Sequence, residues 1–95
     1  LLACATPYQP IGFRGGYSDF EVEPGIHYVV FEGNAHTGHA VVMQYWHRRA
    51  GEICDGSGSY EILSQSDISR EQLVLINGDV TNVRKSGFAG YIRCK

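Results

Sequence analysis

Between positions 27 and 54 the chain reads HYVVFEGNAHTGHAVVMQYWHRRAGEIC, and this run limits the architectures open to the rest. With Ile26 just before it, its first part, Tyr28 to Phe31, is apolar on both parities until Gly33-Asn34 interrupts it. That pattern predicts a central strand, covered on one side by a helix and partly shielded on the other. After the break the spacing becomes helical. At about 100° per residue, Val42, Ile53, Trp46, His39, Ala50, Met43 and Cys54 share an arc of roughly 120°, with Gln44, Arg48, Gly51 and Glu52 opposite. Thr37 is the expected N-cap, its hydroxyl accepting an orphaned backbone N–H. Asp55-Gly56-Ser57-Gly58 supplies the stop. Gly51 costs such a helix about 1 kcal/mol relative to Ala, so packing must hold that turn.

The flanking segments supply strands. Residues 17–23 alternate, with Phe20 and Val22 on one face and Asp19, Glu21 and Glu23 on the other, which predicts a half-buried strand with a solvent-facing acidic row. Pro24-Gly25 is turn chemistry and should fold this strand back onto 26–32 as a hairpin. Further strands are expected at 59–64, 73–76, 80–83 and 88–94, with 65–71 a polar loop. Asn77-Gly78 is a hairpin signal because both residues tolerate the positive φ of a type I′ turn. The fold class is therefore α+β: a two-layer domain with a mainly antiparallel sheet and one helix packed on one face, ββαβββ-like. Ninety-five residues suffice for one such core, and a core that small gains from a covalent tie.

Three cysteines are present. If Cys4 is taken by another modification, Cys54 and Cys94 remain as an even pair for a disulfide in an oxidising compartment, joining the helix end to the last strand. Such a bridge is worth about 3 to 5 kcal/mol on chain-entropy reasoning. The alternative is two separate buried thiols.

The four histidines do not make an evident metal site. His39 and His47 stand about 12 Å apart along the helix axis, too far for one ion. His36 and His39 can approach each other at the helix start and are the remaining metal candidates, but no nearby Cys, Asp or Glu completes a set. His27 belongs to a strand. A Cys54–His nucleophile pair competes with the bridge. The glycine-rich pieces lack the flanking residues of a phosphate loop. No catalytic residue and no cofactor is therefore expected. The tyrosines and Trp46 offer material for a ligand groove, with core and sheet-surface packing as the simpler role. The net charge of −2, with basic pairs only at Arg48-Arg49 and Arg84-Lys85, gives no clustered basic face, so a nucleic-acid partner is not expected.

Leu1-Leu2-Ala3-Cys4 fits the end of a bacterial lipoprotein signal peptide, in which small and apolar residues precede the cysteine that receives lipid; the alternative is a chance tetrapeptide. Residues 1–3 are then a signal remnant, 4–15 the lipid-attachment site and an extended tether reaching about 30 Å, and 16–95 the domain. Leu1 to Cys4, Thr6-Pro7-Tyr8-Gln9-Pro10, Gly15-Gly16-Tyr17-Ser18-Asp19, the Val29-x-Phe31-x-Gly33-Asn34 strand end, Thr37 and Arg49-Ala50-x-Glu52 together resemble a family of small, functionally uncharacterised bacterial envelope lipoproteins, over about the first 55 residues. The resemblance implies a signal peptide cleaved before Cys4 and an anchored envelope domain, and no established reaction. Ala5 after the cysteine favours the outer membrane, facing the periplasm, under lipoprotein-sorting rules. The expected partners are the membrane, through lipid on Cys4, and an envelope protein or the cell wall. A non-enzymatic binding or structural role follows. The competing expectation is a small periplasmic enzyme or ligand-binding protein with its site between helix and sheet, and His36, His39 or Cys54 near its mouth.

Overall fold

A computed structural model gives the fold and describes residues 4–95, so the expectation of a signal remnant at 1–3 lies outside the described residues. The elements are β1 (Gly16–Glu23), β2 (Ile26–Glu32), α1 (His39–Ile53), β3 (Tyr60–Asp67), β4 (Arg70–Ile76), β5 (Asp79–Lys85) and β6 (Gly87–Cys94). Four strands form one antiparallel sheet in the order β1-β2-β6-β3, while β4 and β5 form a separate antiparallel ribbon. The α+β class holds, with the strands divided between two sheets rather than gathered in one. The molecule is 51 Å long and 22 by 20 Å across.

The doubly apolar strand β2 is central, as its pattern requires, pairing with β1 on one side and β6 on the other. Its Val29 and Phe31 face α1 and are fully buried with Val42, Trp46, Ala50 and Ile92. Trp46 is the largest buried side chain, and its indole N–H donates to the Val29 carbonyl at 2.8 Å. That bond removes the penalty of burying a donor, so the ring contributes its full apolar area to the core. Gly90 of β6 makes room for it: a Cβ there would stand 3.0 Å from Trp46 Cζ2 and would run into the Ser64 carbonyl of β3.

The Pro24-Gly25 turn forms as expected, with Gly25 at φ 81°. The faces of β1, however, are the reverse of the expected ones. A two-residue turn pairs Glu23 with Ile26, and an unbroken ladder would then place Phe20 opposite Val29, facing the helix. A bulge at Val22 inserts one residue, so Glu21 pairs with His27, Phe20 with Tyr28 and Asp19 with Val29. Tyr17 and Asp19 consequently face α1, while Phe20 lies on the opposite side and is 59% exposed.

Three other expectations are corrected. The helix begins at His39 after an extended Gly38 with no side-chain cap bond. Thr37 is not the N-cap, because its hydroxyl already accepts the Thr6 backbone N–H at 2.7 Å and donates to Asn34 Oδ1 at 2.8 Å. Gly51, placed on the polar side by its angle, is buried under the following loop: Gly56 N–H donates to the Gly51 carbonyl, and a Cβ would meet Ser57 Cα at 3.1 Å. Close backbone approach explains a glycine there better than helix propensity does. The stretch 65–71 is mostly strand, with only Ile68-Ser69 between β3 and β4. There Ser69 N–H donates to Asp67 Oδ1 and Ile68 N–H to the Gly87 carbonyl.

Cys54 and Cys94 are bridged, Cα to Cα 5.2 Å over a separation of 40 residues, and tie the end of α1 to the end of β6. The Asn77-Gly78 turn has φ 51° and 85°, both in the left-handed region a type I′ turn needs. Replacing Gly90 by Ala is expected to destabilise the fold by about 1 to 3 kcal/mol, since Trp46 and the Ser64 carbonyl must both give way. The same change at Gly58, where a Cβ meets nothing within 4 Å, is expected to be near neutral. Urea unfolding of the two variants beside the parent checks both.

Candidate functional site

The N-terminal segment was expected as an extended tether over 4–15, and it is fastened to the domain. Thr6 is buried; its hydroxyl donates to the Arg14 carbonyl at 2.6 Å and accepts the Asn34 backbone N–H at 2.8 Å. The Asn34 side chain serves as a hub. Its Nδ2 donates to the Cys4 carbonyl at 2.5 Å, while Oδ1 accepts from the His36 backbone N–H and the Thr37 hydroxyl. Beyond Pro7 the segment runs beside β1, with Tyr17 N–H donating to the Gln9 carbonyl and Ile11 N–H to the Tyr17 carbonyl.

Tyr8, between the two prolines, anchors this segment against the helix. Its ring lies 5.1 Å from Tyr17, 5.4 Å from Tyr45 and 6.4 Å from Phe31, and the Arg48 guanidinium sits 3.9 Å above it. The Tyr8 hydroxyl donates to Glu52. Beside it, Arg49 covers Tyr17 at 4.2 Å and bonds Asp19 through Nε at 2.7 Å. The acidic row expected toward solvent thus supplies a partly buried ion pair, the Asp19 side chain being only 17% exposed. Burial raises the Tyr8 pKa, and the Glu52 carboxylate raises it further. The bond from Tyr8 lowers the Glu52 pKa, with Arg48 adding to the effect. The hydrogen bond to Asp19 raises that of Arg49. Each shift favours the form already present at neutral pH, as in a clasp that holds its charges still rather than a site that moves protons.

The residues singled out from the sequence stand apart. Cys4 is an exposed free thiol at one end of the clasp. Cys54 is bridged to Cys94, so its sulfur is no nucleophile. His36 is exposed, while His39 lies edge-on to Phe88 at 6.2 Å with Nδ1 buried and without a hydrogen-bond partner among the described residues. His47 Nδ1 bonds the Tyr60 hydroxyl at 2.8 Å, and His27 lies 3.8 Å from Glu21. Among the described residues no group of three His, Cys, Asp or Glu could hold a metal ion. The core cluster of Val29, Phe31, Val42, Trp46, Phe88 and Ile92 occupies the space between helix and sheet. A shallow hollow of about 140 Å³ lies elsewhere, between the 11–15 turn, Glu32-Gly33-Asn34, Arg70 and Lys85, where Arg70 reaches Glu32 at 3.4 Å.

What the expected site residues do not provide, the uncovered side of the sheet does. Phe20, Tyr28 and Tyr91 form a row across β1, β2 and β6, with ring centroids 5.7 and 4.8 Å apart. Phe20 and Tyr91 are exposed, as is the neighbouring Val22. Arg93 and Glu61, bonded at 3.1 Å, border the row. Flat π surfaces packed side by side on rigid strands can bind an apolar or planar group without rearranging first. The period-2 pattern of β1 showed the apolar set, but the bulge that turns it outward left no mark in residue type.

Replacing Tyr8 by Phe should show the role of the clasp. A lowered Glu52 pKa stabilises the fold above the ordinary carboxylate range, and that contribution is lost as pH falls through the folded-state value. A raised tyrosine pKa contributes below about pH 10 and is lost as pH rises beyond it. Tyr8→Phe is expected to lower stability at neutral pH by about 1 kcal/mol, allowing for the exposure of Glu52. It is also expected to flatten both the acid and the alkaline limbs. Urea midpoints of the two proteins across pH measure this.

Comparison with known proteins finds no family model, no curated protein and no solved structure that matches this chain.

Proposed function

We propose that this chain is a lipid-anchored protein of the bacterial cell envelope that binds or stabilises another envelope component and carries out no reaction of its own. The observation that carries the proposal is the division of its three cysteines. Cys54 and Cys94 occupy one another, which suits an oxidising compartment, and Cys4 is left as an exposed thiol preceded by Leu-Leu-Ala. No helix among the described residues is long and apolar enough to cross a membrane. The attachment proposed is lipid on Cys4. Ala5 after that cysteine favours the outer membrane, with the domain facing the periplasm.

The fastened N-terminal segment changes what such an anchor would do. Because Thr6 is buried, only Ala5 separates Cys4 from the domain, a reach of about 7 Å rather than about 30 Å. A lipid there would hold the domain against the bilayer in a restricted orientation. The Phe20, Tyr28 and Tyr91 row is the surface proposed for the envelope partner, since it is apolar, preformed and open.

Metabolic labelling with a fatty-acid probe, in cells expressing the natural gene, is expected to label the protein and find it in the membrane fraction. Cys4→Ser is expected to abolish both, and retention of label by that variant overturns the anchor. A photo-crosslinking residue at Phe20 is expected to capture a discrete partner in cells, whereas one at Arg48, on the helix side, is not. Equal capture from both positions removes the assignment of the face.

A further inference from the structure

The β4-β5 ribbon is an arm without a body. Among the described residues it pairs with no other strand, and Leu73, Leu75 and Val80 on one of its faces are 71%, 72% and 69% exposed. Two-stranded ribbons are marginal alone in water, and both outer edges here offer unpaired backbone groups to another strand. Asp79 to Lys85 contains no proline that would remove a backbone donor from this edge.

The register identifies what that edge fits. The Asn77-Gly78 turn makes Ile76 and Asp79 a hydrogen-bonded pair, and antiparallel alternation then directs the backbone groups of Asp79, Thr81, Val83 and Lys85 toward β4. Those of Val80, Asn82 and Arg84 point outward. These three are centred on Asn82, so a second β5 laid antiparallel about a twofold axis through Asn82 would pair Asn82 with Asn82 and Val80 with Arg84. The arrangement makes about six backbone hydrogen bonds, two from each outward-facing pair. In the same register Asp79 of each copy stands opposite Lys85 of the other, in the closely spaced non-hydrogen-bonded positions.

Those two charges lack counterions among the described residues. Neither Asp79 nor Lys85 forms an ion pair among the described residues, and Lys85 lies directly opposite the like-charged Arg70, which itself reaches Glu32. Arg84, by contrast, is already held by Asp67 and Glu71. The outer edge of β4 offers no such match. Self-pairing about Leu73 would set Arg70 against Ile76 and Glu71 against Leu75, with no opposite charges meeting.

We propose that β5 is a homodimerisation edge: two copies of this chain join their arms about Asn82 into one four-stranded antiparallel sheet, with reciprocal Asp79–Lys85 ion pairs setting the register. The contact is isologous and closes on itself, so it stops at two copies. It is independent of lipid on Cys4 and of the partner proposed for the aromatic face.

The test uses the full chain in a Cys4→Ser background, so that no intermolecular disulfide imitates the dimer. Sedimentation velocity over a concentration series is expected to show a reversible monomer–dimer equilibrium, weakened by added salt. Asp79→Lys or Lys85→Asp alone replaces both symmetry-related attractions by like-charge contacts and is expected to weaken the dimer about tenfold. The double reversal Asp79→Lys/Lys85→Asp is expected to restore it. Circular dichroism of each variant establishes that the fold is kept. A chain that stays monomeric at every concentration overturns the proposal, as does a dimer indifferent to both single reversals. So does a double reversal no more dimeric than the singles.

Discussion

The structure depends first on Trp46 of α1 packing over β2 and β6 with its indole N–H satisfied. A ring of that size enters so thin a two-layer core only if one strand gives up its side chain and another offers a carbonyl. Gly90 and Val29 meet those two conditions from adjacent strands in register, Val29 opposite Gly90. The same contact fixes the height of α1 above the sheet. It also brings Cys54 within bridging distance of Cys94 and leaves Gly51 close enough to the next loop for a glycine to be needed.

The helix then determines what β1 can do, and here two demands on one strand compete. Burying Phe20 would gain about 2 to 3 kcal/mol of transfer free energy. The observed parity partly buries Tyr17 instead, in contact with Tyr8, and brings Asp19 to Arg49. An aromatic cluster with two overlying guanidinium groups and a charge-assisted hydrogen bond is of comparable worth, since each component contributes about 0.5 to 3 kcal/mol. Near balance of this kind lets a one-residue bulge decide. The bulge at Val22 selects the clasp, and in doing so leaves an aromatic row on the outside.

How much was legible in the sequence follows from the same physics. The strand at 26–32, the helix, the two hairpin turns and the Cys54–Cys94 pair were readable because each rests on local periodicity, positive-φ chemistry or a parity of cysteines. The faces of β1 were not, because a bulge without glycine has no residue signature and one inserted residue inverts every side chain before it. Thr37 misled for a similar reason. Its hydroxyl suits a helix cap, but Thr6, distant in sequence and buried in the fold, takes it first. The candidate face went unrecognised as a direct result: alternation told which residues of β1 go together and not which side of the sheet they occupy.

The division into a body and an arm has its own physical reason. The body closes its core with a tryptophan, a bridge and a docked N-terminal segment, so nothing in it needs the hairpin between β3 and β6. The connection there is correspondingly short, Ile68-Ser69 leading out and Ser86 leading back, with Gly87 N–H held by Ser69 Oγ at 3.1 Å. Chain ordered beyond that neck loses conformational entropy without core burial to offset it. A type I′ turn and seven paired positions reduce the loss, but Leu73, Leu75 and Val80 stay in water. An arm built this way gains most from contacts outside its own chain. Its stability and its association are therefore coupled, and whatever pairs with the β5 edge also helps order β4.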